Sequence, residues 1–134
     1  LKTNYEGSWQ LFENKKRKPD GEKLRGIVVD CNTATGEQIV DTMVDFNKLI
    51  SRAGLNVAPL KYAFTLYRST DNQLCDVDKK FEENGFRLFR YFDLSEDIKK
   101  LIWEKRGSQG QLNVHSKEGQ ERIKKILKQI DLLA

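Results

Sequence analysis

The stretch from Thr35 to Gly54 constrains this chain most. Thr35-Gly36-Glu37-Gln38 matches a capping box. The Thr hydroxyl accepts from the backbone amide three residues on, and the Gln side chain reaches back to the cap. Ile39, Met43, Phe46, Ile50 and Ala53 then recur at helical spacing, with Leu49 beside them, and form one apolar stripe. Gly54 suits the helix end, because it adopts a left-handed conformation without steric penalty. The pattern predicts a helix over 36–53 that must bury one face.

The segments around it read as strands. Residues 8–13 form a first strand. A polar stretch, 14–22, follows and holds Lys15, Lys16, Arg17 and Lys18 and the turn signal Pro19-Asp20-Gly21. Residues 24–31 are rich in β-branched side chains and form a second strand, so the two are expected to make a hairpin. Beyond the helix, 62–68 predicts a third strand, 73–77 a short fourth and 86–92 a fifth, with a turn over 81–85. The fifth alternates poorly, as expected of a strand covered on both faces. Ser95 caps a second helix with Glu96 and Asp97 in its first turn, Ile98, Leu101 and Ile102 on its apolar face and Gly107 at its end. After a polar linker over 107–115, Ser116 starts a third helix with Ile123, Ile126, Leu127, Ile130 and Leu133 on one side.

A length of 134 residues fits one domain around one core. Charged residues reach 33%, but seven Phe, four Tyr and two Trp supply enough burial for a folded chain. The expected core is Trp9, Leu11, Ile27, Val29, Ile39, Met43, Phe46, Ile50, Phe64, Leu66 and Leu88, with Ile98 and Leu101 where the second helix docks. The organisation expected is a core over 1–94 and a helical extension over 95–134 within the same domain. The chain begins at Leu1, so it is read as a domain excised from something longer.

The formal charge of +4 is unevenly spread: residues 1–34 carry net +2, 35–94 net −1 and 95–134 net +3. Such a balance suits nucleic acid, an anionic membrane or an acidic protein surface. Cys31 and Cys75 are far apart, lack metal-ligand spacing and sit in apolar surroundings. Two reduced thiols and an intracellular location, cytoplasmic rather than nuclear, are expected. No apolar run is long enough to span a bilayer.

Little points to catalysis or a cofactor. The single histidine, His115, lies in the polar linker, far from any nucleophile-and-base set. Asp71, Asp76 and Asp78 lack the spacing of a calcium loop, and no glycine loop cradles phosphate. No enzyme, metal or cofactor is therefore expected.

The element order through residue 92 resembles the ubiquitin-like β-grasp. More narrowly it is similar to the first lobe of FERM domains and to Ras-association or Ras-binding domains. The residues carrying the likeness are Ile27-Val28-Val29-Asp30, Thr35 to Val40, Ala53-Gly54-Leu55, Tyr62 to Tyr67 and Phe86 to Arg90. The resemblance implies an α+β fold, a mixed sheet packed on the helix 36–53, with two additional C-terminal helices. It also implies a non-catalytic interaction module. The second strand would pair with an edge strand of a GTP-loaded small GTPase, Lys23 and Arg25 on that strand and Lys48 and Arg52 on the helix meeting its acidic switch region.

Lys15, Lys16, Arg17 and Lys18 form a further candidate surface for an acidic partner or phosphates, or a solvated loop. Lys48 and Arg52 share their helical stripe with Glu37, Asp41 and Asp45, an order that helix stability alone also favours. One alternative is a single-stranded nucleic-acid binder using the same basic groups with Trp9, Phe12, Tyr62, Tyr67, Phe89 and Tyr91 as stacking platforms. Another is a structural domain of a larger assembly that docks through its last helix, whose basic face holds Arg122, Lys124, Lys125 and Lys128.

Overall fold

The computed structural model describes residues 9–13, 25–29, 35–54, 57–65, 78–105, 108–109 and 112–133. In chain order the elements are β1 (Trp9–Glu13), β2 (Arg25–Val29), α1 (Gly36–Ala53), β3 (Tyr62–Thr65), α2 (Asp78–Glu83), β4 (Arg87–Phe89), a 3-10 turn (Tyr91–Asp93), α3 (Glu96–Glu104) and α4 (Lys117–Leu133).

The capping box forms as expected. The Gln38 N–H donates to Thr35 Oγ1 at 3.2 Å, and the Thr35 N–H donates to Gln38 Oε1 at 2.9 Å. Gly54 ends α1 with φ +66°. Ile39, Met43, Phe46, Leu49 and Ile50 are buried, so the stripe faces the core.

The sheet is mixed, in the order β1-β2-β3-β4. β1 is antiparallel to β2, with Leu11 opposite Ile27, while β2, β3 and β4 run parallel. Parallel neighbours need a crossover, and α1 and α2 supply the two required. Gly26 lets β2 approach β3 closely, since a Cβ there would lie 2.1 Å from the Tyr62 carbonyl oxygen.

Helices cover both faces. On one, Leu11, Ile27, Val29 and Ala63 pack with α1, with Phe81 of α2 and with Ile123 and Leu127 of α4. On the other, Val28, Phe64 and Phe89 pack with Leu94 and with Ile102 of α3. Double coverage explains why β2 is a continuous apolar run. Both C-terminal helices therefore add to the cores built on this sheet.

Several expectations are corrected. The fold is α+β with a mixed sheet, but three helices, not one, pack on the α1 side. The segment 81–85, expected as a turn, is mostly helix α2, which buries Phe81 and closes in a Schellman motif. There the Phe86 N–H donates to the Phe81 carbonyl at 2.8 Å and the Gly85 N–H to that of Glu82 at 3.0 Å, with Gly85 at φ +74°. The fifth strand is cut to Arg87–Phe89. Its continuation is stopped where the Arg90 N–H donates to Asp93 Oδ2 at 3.3 Å and the chain turns. Leu88, Ile98 and Leu101 are half-buried rather than core.

The expected strand over 73–77, the end of the third strand, Leu66, Cys31, Cys75, Asp71 and Asp76 lie outside the described residues, as does the side chain of Trp9.

Candidate functional site

The β2 strand lies between β1 and β3, and both of its edges are paired. The expected contact, in which this strand extends the sheet of a GTPase, is therefore corrected: residues 26–29 are paired on both sides and have no free edge to offer. Lys15, Lys16, Arg17, Lys18 and Lys23 lie outside the described residues, and of Arg25 only the backbone, paired with Glu13, is described.

Lys48 and Arg52 are both exposed on α1, one turn apart, and the structure separates their surroundings. Lys48 lines a groove of about 610 Å³ and Arg52 does not. Three elements build the groove. Val44, Asn47, Lys48 and Ser51 come from α1, Pro59, Leu60 and Lys61 from the approach to β3, and Asn84, Gly85 and Phe86 from the Schellman turn before β4. It opens at the amino ends of β3 and β4.

Its base is apolar. Leu60 is buried, and Val44 and Phe86 are half-buried. Its walls are joined by Asn47, whose Nδ2 donates to the Leu60 carbonyl at 3.0 Å and whose Oδ1 accepts from the Leu60 N–H at 2.7 Å. The Asn84 Nδ2 donates to the Lys80 carbonyl at 2.8 Å and helps hold the opposite wall. Lys48 and Lys61 are exposed on the rim, and among the described residues neither has a carboxylate partner.

Two of the three acids that share the α1 stripe, Asp45 and Glu37, are engaged elsewhere. Asp45 Oδ2 lies 3.3 Å from Nε2 of His115, two residues before α4. Glu37 lies 3.9 Å from Nζ of Lys80. Among the described residues, the groove lining contains two ammonium groups and no carboxylate. Lys61 and the two asparagines were not among the expected site residues. The sequence signal for them is faint: an isolated Lys after Pro59-Leu60, and amides that resemble any solvated side chain.

Among the described residues, the stacking platforms expected for nucleic acid, Tyr62, Phe89 and Tyr91, are engaged within the chain. Phe89 is buried, stacked on Phe64 at 5.3 Å and tilted against Tyr62 at 5.6 Å. The Arg87 guanidinium lies 4.5 Å from the centre of the Phe89 ring, and Lys99 Nζ lies 4.3 Å from that of Tyr91. Tyr67 and the side chains of Trp9 and Phe12 lie outside the described residues. On α4, Arg122 pairs with Glu118 at 2.9 Å and Lys124 with Glu121 at 4.0 Å, so part of its basic face is answered along the helix itself.

Among the described residues, no group of three or more His, Cys, Asp or Glu is placed to hold a metal ion. Asp78 instead accepts two 3.0 Å hydrogen bonds from Arg90. No helix among the described residues is long and apolar enough to cross a membrane. Compared with protein-family models, curated proteins and solved structures, the chain has no match.

Proposed function

We propose that this chain is a non-catalytic interaction module that takes up an acidic segment of a protein partner in the groove between α1 and the starts of β3 and β4. The observation that carries the reading is the pairing of an apolar base, Val44, Leu60 and Phe86, with two rim lysines that have no carboxylate partner among the described residues. A peptide with acidic residues flanking one or two apolar side chains matches both features. Charge complementarity then favours encounter and selection, and apolar burial supplies most of the affinity. The Asn47 bridge supports the reading, because a groove whose walls are already joined loses little freedom on binding.

The ubiquitin-like resemblance adds a partner class. A GTP-loaded small GTPase carries an acidic switch region, and on this reading that region enters the groove instead of pairing with β2. The two widely spaced cysteines favour an intracellular setting.

The test is fluorescence anisotropy with a labelled Asp/Glu-rich peptide containing two apolar residues, with a GTPase panel in both nucleotide states, and with a mixed single-stranded oligonucleotide. The paired substitution Lys48→Glu with Lys61→Glu is expected to abolish peptide or GTPase binding. Binding of the oligonucleotide alone, unaffected by that pair, would replace this reading with the nucleic-acid one.

A further inference from the structure

We propose that the outer edge of β1 is a self-pairing surface for a second copy of this chain, and that Gln109 occupies it in the single chain as a side-chain substitute for a neighbouring strand. Among the described residues, strand β1 lies at one end of the sheet, so its side away from β2 is an edge. At its midpoint the Leu11 N–H donates to Gln109 Oε1 at 2.8 Å, and Gln109 Nε2 donates to the Leu11 carbonyl at 2.8 Å. Both backbone groups of one residue thus meet a single amide.

That geometry identifies the strand direction being imitated. In an antiparallel ladder one residue exchanges both of its bonds with one opposite residue, whereas in a parallel ladder its two bonds go to different residues. The carboxamide of Gln109 therefore stands where an antiparallel neighbour's peptide groups would stand.

A second copy fits this edge for three reasons. First, the alternation that turns Leu11 outward also turns the backbone groups of Trp9 and Glu13 outward, symmetrically about Leu11. Two copies related by a two-fold axis at Leu11 then satisfy one another's groups, with Trp9 opposite Glu13 of the second copy and no like charges opposed. Second, β1 is Trp-Gln-Leu-Phe-Glu, rich in strand-forming side chains, with no proline or lysine. Third, edge strands ordinarily carry their own protection as charges, prolines or bulges. Here the cover arrives from a residue 98 positions away.

The test is sedimentation equilibrium of the whole chain, wild type against Gln109→Ala. The wild type is expected to be monomeric at tens of micromolar, and Gln109→Ala to associate at least tenfold more tightly into a dimer. Adding Glu13→Pro, which removes an outward N–H without touching the ladder to β2, is expected to return that variant to the monomer. A folded Gln109→Ala chain that stays monomeric over the same range overturns the proposal, as does a dimer indifferent to Glu13→Pro. If Gln109→Ala does not fold, Gln109→Glu carries the same comparison, because it keeps an acceptor for the Leu11 N–H and loses the donor to its carbonyl.

Discussion

Asn47 bonds both backbone polar groups of Leu60, 13 residues away, and so fixes the approach to β3 against the middle of α1. The carboxamide of one side chain serves as peptide partner to a residue outside any regular element. Leu60 is buried, and its N–H and carbonyl have few other routes to satisfaction. Replacing Asn47 by Ala is expected to cost about 2–4 kcal/mol, two hydrogen bonds to partly buried groups at roughly 1–2 kcal/mol each. Asn47→Asp keeps the acceptor, loses the donor and should cost less. Urea unfolding of the three proteins checks the order.

Gly26→Ala is expected to destabilise the sheet by about 3 kcal/mol, the upper part of the usual overpacking range. Its Cβ would meet the Tyr62 carbonyl at 2.1 Å, and backbone cannot swing aside as a side chain can. Gly54→Ala makes an informative contrast. Nothing lies within 4 Å of the added atom, so only the left-handed conformation is penalised, at about 1–2 kcal/mol. Thermal melts of both variants should show the larger loss for Gly26→Ala.

Phe46 has no exposed surface and sits in the cluster shared by α1, the sheet and α4. Phe46→Ala is expected to cost roughly 3–5 kcal/mol. A melting curve matching that of the parent would remove Phe46 from the core.

The groove separates three basic residues that look alike in the sequence. Lys48→Glu and Lys61→Glu are each expected to weaken acidic-peptide binding by at least about tenfold, a change of about 1.4 kcal/mol. Arg52→Glu should change it far less, because Arg52 lies outside the groove lining. Raising salt should weaken the wild type more than the charge-reversed variants, since exposed ammonium groups are screened. Titrations at two ionic strengths read both effects.

Much of this fold was legible where a local rule and a tertiary need coincide. The α1 helix shows its cap, stripe and terminal glycine in sequence, and all three are present in the structure. The strand order was not legible, and α2 explains why. Asp-Lys-Lys-Phe-Glu-Glu has one apolar residue in six, so it shows no periodic stripe and reads as a turn. A turn between strands implies an antiparallel pair, whereas a helix there permits the parallel crossover that forms. Without that short helix the parallel pairing of β3 and β4 could not be read from the sequence. Lys48 was legible as a basic residue on an exposed helix face. Lys61 was not, because only the fold brings 61 beside 48. Asn47 was also missed, since its role depends on a backbone segment whose path local sequence does not determine.

The acidic-peptide groove is tested first by an amide-resolved NMR titration of the chain with an Asp/Glu-rich peptide carrying two apolar residues. Saturable shifts are expected to concentrate on Val44, Lys48, Ser51, Lys61, Gly85 and Phe86 and to disappear when Lys48 and Lys61 are both changed to Glu. Saturable shifts that avoid these residues, or that survive the double charge reversal, would contradict it.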